Sequence, residues 1–269
     1  MTTKPDWELP GSEAQLTALT REMDEAHREV LPLMHARVAE HVEELHDRGT
    51  VRRLHTERSL ARRGFLLGVG GVGAMAALAA CSSAGSPSPD TRAGTGSASG
   101  GTYTGDLKVV ALAVALENQA VASYKAALAN AKAGTLGTVP PAASTFMQTA
   151  MSQHEDHAKA WNAVLTGAGL PAITGIPLSD AASTMNAVNS ATSTAAVAKL
   201  ALGLENQATE TYLYAIGNVS NSGAIATAAS IAPVEAMHAA TLNFVLGQYP
   251  VPDAFISTSK AASPSTLTV

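Results

Sequence analysis

Leu116-Glu117-Asn118-Gln119-Ala120 and Leu204-Glu205-Asn206-Gln207-Ala208 are near copies, each placing one carboxylate inside an alanine-rich apolar run. A histidine-bearing stretch follows each of them. Downstream of the first stands His154-Glu155-Asp156-His157-Ala158, and downstream of the second Glu235-Ala236-Met237-His238-Ala239. The copies extend outward. Leu112 to Leu128 aligns with Leu200 to Ile216 without gaps at nine of seventeen identical residues, Tyr124 matching Tyr212. The histidine stretches align as well, with His157-Ala158 on His238-Ala239, Asn162 on Asn243, and Val164-Leu165 on Val245-Leu246.

Hydrophobic spacing reads as helix throughout this region. A first helix is expected from Asp106, as a capping residue, to about Lys132, carrying Val110, Val114, Glu117, Tyr124 and Leu128 along one stripe. A second runs from near Ala142 to Gly167 or Gly169, and Ser179 opens a short helical turn. A third starts at Thr194 or a neighbour and ends near Gly217. The fourth runs from about Ser222 to Gly247, with Pro233 demanding a kink or a late start. The expected fold is all-α: a four-helix bundle built from two helix-pair repeats over residues 106–248, with an irregular tail over 249–269.

A glutamate in an apolar helical stripe must be paired, protonated or bound to metal, because an isolated buried carboxylate is costly. Here the cost arises at two equivalent positions. Residues three apart share a helix face, so Glu235 and His238 point one way, as do His154 and His157. Facing pairs can then bring oxygen and nitrogen ligands around two ions in the bundle core. The competing reading pairs Glu117 and Glu205 with Lys125, Lys159 or Lys199 and makes each histidine an ordinary core residue.

The remainder of the chain differs in kind. The first eighty residues hold most of the charge and five of the eight histidines. Residues 12 to 48 read as a charged helix, with Leu16, Leu19, Met23, Ala26 and Val30 in register before Pro32 interrupts it. Its histidines His27, His35, His41 and His46 read as a solvated or partner-binding face. The segment 61–81, from Ala61-Arg62-Arg63-Gly64 to Leu78-Ala79-Ala80-Cys81, resembles a bacterial twin-arginine export signal ending in a lipobox. That resemblance implies Arg62 and Arg63 as the export signal and Cys81 as the lipidation site, on the outer face of the cytoplasmic membrane. An uncleaved single-pass anchor with segment 1–60 in the cytosol is the alternative, and a start at Met23 or Met34 would shorten the unusually long leader. Residues 82–105 read as a Ser, Gly and Ala tether. A net charge of −5 without a basic stripe sets nucleic acid aside, and one cysteine excludes a disulfide framework or cysteine-based zinc cluster.

Taken together, Glu117, Glu205, His157, Glu235 and His238 resemble the ligand pattern of the ferritin-like superfamily of di-metal carboxylate bundles. The resemblance covers about Asp106 to Gln248 and implies a di-iron centre, with manganese or zinc as other occupants. It also implies oxidation of Fe(II) by oxygen or peroxide, or activation of oxygen. By the same resemblance, Glu117 and Glu205 stand for the single-glutamate helices, and Glu235 with His238 for one Glu-x-x-His. His157 is the histidine of the other, and His154 stands where its glutamate is expected. Tyr124 and Tyr212, seven residues after the glutamates, are candidates to hydrogen-bond the ligands. Three alternatives replace the missing carboxylate: His154 ligates, Glu155 swings in, or the site holds one ion. The other functional class is a non-catalytic envelope lipoprotein with a degenerate site, acting in binding or stress protection.

Overall fold

The computed structural model describes residues 9–68 and 102–269, with side chains for 9–47 and 102–269. The chain divides into two compact units, Met1–His46 with Gly101–Val269, and Asp47–Gly100. Among the described residues the regular structure is helical: α1 Glu13–Gly68, α2 Asp106–Lys132, α3 Pro141–Gly167, α4 Ala181–Ser190, α5 Thr194–Asn218 and α6 Ser222–Val245, with a single 3-10 turn at Pro264–Thr266. One isolated bridge, Leu178 to Leu267, ties the C-terminal tail to the segment that precedes α4.

Local chemistry accounts for the helix starts. Ser12 and Gln15 form a reciprocal capping box at the start of α1. Pro140 and Pro141 open α3, where missing N–H groups cost nothing. Ser193 caps α5 through Ala196 N, and Asn221 caps α6 through Ala224 N. Asp106 does not cap its own helix, contrary to expectation. The N-cap of α2 is Gly105, and Asp106 Oδ2 instead accepts from Ser220 N, Ser220 Oγ and Asn221 N, tying the start of α2 to the α5–α6 connection.

α2 packs along α3 and α5 along α6, and the two pairs meet through α2 with α5 and α3 with α6. The equivalent asparagines play equivalent parts. Asn162 brackets Ile173 through both its N–H and its carbonyl, and Asn243 donates to Pro250 O, so each clamps the loop after its helix. Pro233 does not delay α6, which begins at Ser222. It is exposed, so the carbonyl it leaves without a donor faces water. The tail from Tyr249 is irregular but returns to the core through Ala262 and Leu267.

Two expectations for the N-terminal region are corrected. α1 is continuous through Pro32, which again stands on the solvent side. Its first part is also not a solvated face. Leu16, Thr20, Met23, His27, Met34, Val38 and His41 are all buried in the same compact unit as the bundle, whereas Leu19 and Val30 remain exposed. The seam is rotated from the purely aliphatic stripe because Thr20, His27 and His41 occupy it. Arg62 and Arg63 fall in the helical backbone of α1, while Cys81 and residues 82–101 lie outside the described residues. No helix among the described residues is long and apolar enough to cross a membrane.

Asp106 makes three charge-assisted hydrogen bonds to the α5–α6 connection. Asp106→Ala is therefore expected to lower unfolding free energy by about 1–2 kcal/mol in denaturant titration, and Asp106→Asn by less.

Candidate metal centre

The helix pairs bring all six sequence-selected residues to one point in the bundle interior. α2 contributes Glu117, α3 His154 and His157, α5 Glu205, and α6 Glu235 and His238. None is more than 2% exposed. They form two groups of four, Glu117, His154, His157 and Glu235, and His154, Glu205, Glu235 and His238, with the potential ligand atoms of each group within 4.8 Å of one another. His154 and Glu235 belong to both.

His154 takes the place between the groups. Its Nδ1 stands 2.7 Å from Glu117 Oε2 and its Nε2 3.2 Å from Glu205 Oε1, so one imidazole spans the two single-glutamate helices. Of the three alternatives for the missing carboxylate, the geometry brings in His154. Glu155 is exposed and takes no part. The lysine reading fails, because Lys125 and Lys199 are exposed and Lys159 pairs with Asp156 at 3.2 Å.

The donor atoms suit metal better than they suit one another. His157 Nδ1 and Glu235 Oε1 lie 2.9 Å apart, yet neither has a hydrogen-bond partner of acceptable geometry, and His157 Nε2 has none either. Orphaned polar atoms at zero exposure are rare and costly. Two ligands at right angles on an ion about 2.1 Å away would stand about 3 Å apart, which matches this spacing. Imidazole and carboxylate together suit iron, manganese or zinc.

Both tyrosines reach across the bundle. Tyr124 of α2 donates to Glu205 Oε1 of α5 at 2.5 Å, and Tyr212 of α5 donates to Glu117 Oε1 of α2. Each orients the glutamate of the other repeat. Trp161 Nε1 in turn donates to Tyr212 Oη at 3.0 Å. Burial, and then the facing carboxylate, raises both phenols well above their usual range, so they stay protonated donors.

Sequence reasoning missed three contributors. Gln153 Oε1 accepts from His238 Nε2 at 2.8 Å, which directs Nδ1 toward Glu205 and Glu235. Glutamine is not a ligand type, so nothing singled it out. Tryptophan is not a ligand type either, and Trp161 acts only through Tyr212. His27 of α1 was assigned to a solvated face but is buried, its ring edge-on to His157 with centroids 5.2 Å apart.

Three carboxylates facing three imidazoles dictate the titration. Burial raises Glu117, but His157 and His154 outweigh it and hold the carboxyl at about 2; Glu205 is likewise held well below its usual range by His154 and His238. Burial lowers the imidazoles, but the carboxylates prevail, taking His157 to about 9, His154 well above its usual value and His238 upward. His27 is pushed down to about 4 by burial and then by His157, which together outweigh the opposing pull of Asp156.

A family model described as a ferritin-like domain matches residues 105–248, 144 of the 269 residues. Neither the curated proteins nor the solved structures contain a match to the chain.

Linkage sets the pH dependence of the metal-free chain. A raised imidazole stabilises below its unfolded value of 6.5, and that contribution is lost as pH climbs toward about 9 for His157. A lowered carboxyl stabilises above 4.5, and its contribution is lost as pH falls toward about 2 for Glu117. His27 acts in the opposite sense to the other imidazoles, costing stability as pH drops from 6.5 toward about 4. Thermal melts after chelation should therefore peak just below pH 6.5, decline toward pH 9 and fall steeply below pH 4.5.

Proposed function

The chain belongs to the ferritin-like family, and from that premise we propose that it is a membrane-tethered metalloprotein holding a two-ion centre and oxidising Fe(II) with oxygen or peroxide. The observation that carries the metal reading is the pair of four-residue groups sharing His154 and Glu235 at full burial. Iron bound there would supply one-electron chemistry toward oxygen or peroxide.

The chain's own residues set the conditions for that chemistry. Glu117 and Glu205 face each other across the bundle and are held by Tyr212 and Tyr124, so neither carboxylate has to reorganise to meet an ion. Gln153 keeps His238 turned with Nδ1 inward. Metal uptake must displace protons from His154, His157 and His238, so affinity rises with pH across the range in which those imidazoles titrate. Apolar packing from Phe146, Ala150, Trp161 and Ile231 excludes water from the centre.

Tethering rests on the order of sequence features. Arg62-Arg63, the apolar run after Gly68 and Cys81 precede a Ser and Gly-rich stretch that leads to the bundle. Twin-arginine export suits a metalloprotein because that route carries folded cargo, so the centre would be loaded before transfer, while α1 is still attached, and cleavage before Cys81 would then part α1 from the tethered bundle. A second reading, a non-catalytic envelope lipoprotein, draws on the mutual pairing within the centre: the imidazoles hold Glu117 and Glu205 ionised and are held protonated in return, without any ion.

Elemental analysis of the chain refolded with Fe(II) separates the two readings. The metalloprotein should hold up to two ions, lose them in the Glu117→Ala, Glu205→Ala double variant, and oxidise Fe(II) faster than buffer does. A chain that binds no Fe(II), Mn(II) or Zn(II) and melts unchanged in their presence would leave only the second reading.

A further inference from the structure

α1 between Ser12 and His46 runs in the same direction as α3 and opposite to α6. Glu13 reaches Ala142 N at the start of α3, His27 meets Asp156 and His157 at its middle, and Val42 meets Gly167 at its end. Against α6, Pro10 and Gly11 meet Gly247 and Phe244, while His41 meets Gly223. α3 and α6 are the helices that carry His157, His154, Glu235 and His238, so α1 covers the outer side of the centre.

The fit along this seam is close and specific. Of the described glycines, Gly11, Gly167, Gly223 and Gly247 are those at which a Cβ would meet neighbouring atoms within 4 Å, and all four lie where α1 and its leading residues touch the bundle. A Cβ at Gly223 would stand 2.6 Å from His41 Cβ and 2.8 Å from its Cα, and one at Gly167 2.6 Å from Val42 Cγ1. Elsewhere the glycines serve turns or open surface. Glu44 accepts hydrogen bonds from Asn221 Nδ2 and Ser222 Oγ at 2.5 and 2.8 Å, on the cap of α6.

At the middle of the seam the contact is with a ligand residue. The His27 ring abuts His157, whose two nitrogens have no hydrogen bond of their own, and His27 Nε2 stands 3.7 Å from Asp156 Oδ2. Ligand histidines are ordinarily oriented by a hydrogen bond from their second nitrogen. Here a ring from α1 supplies the orientation instead. We propose that, in the full-length chain before any cleavage at Cys81, α1 is the closing helix of the centre and His27 is the positioning residue through which it holds His157. This rests on the metal-binding reading above for its effect on ions, and on packing alone for its effect on His157.

The full chain carries both tests. In the metal-free protein, diethylpyrocarbonate labelling read by mass spectrometry compares His157 with the exposed His35. His157 should react at least tenfold more slowly in the wild type, and the Gly167→Val, Gly223→Val double variant should remove most of that protection. Equal reactivity of His157 and His35 in the wild type would overturn the covering role, as would unchanged protection in a double variant whose α1 amides exchange freely. With Co(II) as probe, His27→Ala should weaken one of the two binding steps by about 10–100-fold and leave the other, with His27→Phe restoring it. Two unchanged steps in His27→Ala would overturn the positioning role. A wild type that takes up no Co(II) would instead remove the metalloprotein reading, while the labelling result still decides whether α1 covers His157.

Discussion

The structure depends on neutralising six ionisable side chains buried in the bundle interior. Glu117, Glu205, Glu235, His154, His157 and His238 are each at most 2% exposed, and every carboxylate draws partners from other helices, Glu235 alone adding one, His238, from its own. Such groups tolerate little displacement, since an unpaired buried charge costs several kcal/mol. The register of α2, α3, α5 and α6 follows from this requirement. Side chains of high apolarity then pack above and below the charged layer, in two clusters that meet at it.

The crossed tyrosines convert two helix pairs into one site. Tyr124 serves Glu205 and Tyr212 serves Glu117, so neither pair completes the arrangement alone. His154 breaks the equivalence of the halves. With a glutamate in that position, four carboxylates would face two imidazoles, and a metal-free centre would carry uncompensated negative charge. With His154 the counts are equal, and its ring reaches toward Glu117 with one nitrogen and Glu205 with the other.

α1 adds a fifth helix to this picture. Its outward side carries pairs such as Arg28 with Asp24 and Arg37 with Glu40, while the inward side buries Leu16, Met23, Met34 and Val38 with three polar residues among them. A helix so charged overall reads as solvated because its apolar seam is diluted. Only the groove between α3 and α6 gives Thr20, His27 and His41 a reason to be inside.

The sequence by itself determined the helical class, the positions of α2, α3, α5 and α6 within a few residues, and the six residues that meet at the centre. The physical reason is that helical period and turn chemistry are local, and a carboxylate repeated in an apolar stripe announces a buried partner. The roles of Gln153, Trp161 and His27 were decided by tertiary structure, because glutamine and tryptophan are not ligand types and His27 lies in a helix whose charge hides its buried seam. So was the crossing of the tyrosines, since spacing along one helix says which face a phenol occupies and nothing about which facing glutamate it meets. Asp106 shows the same limit: its position suited a cap, but three donors from the distant α5–α6 connection offered it better partners. Local rules fix which side chains share a face, and only the packing of helices distant in sequence fixes what that face touches.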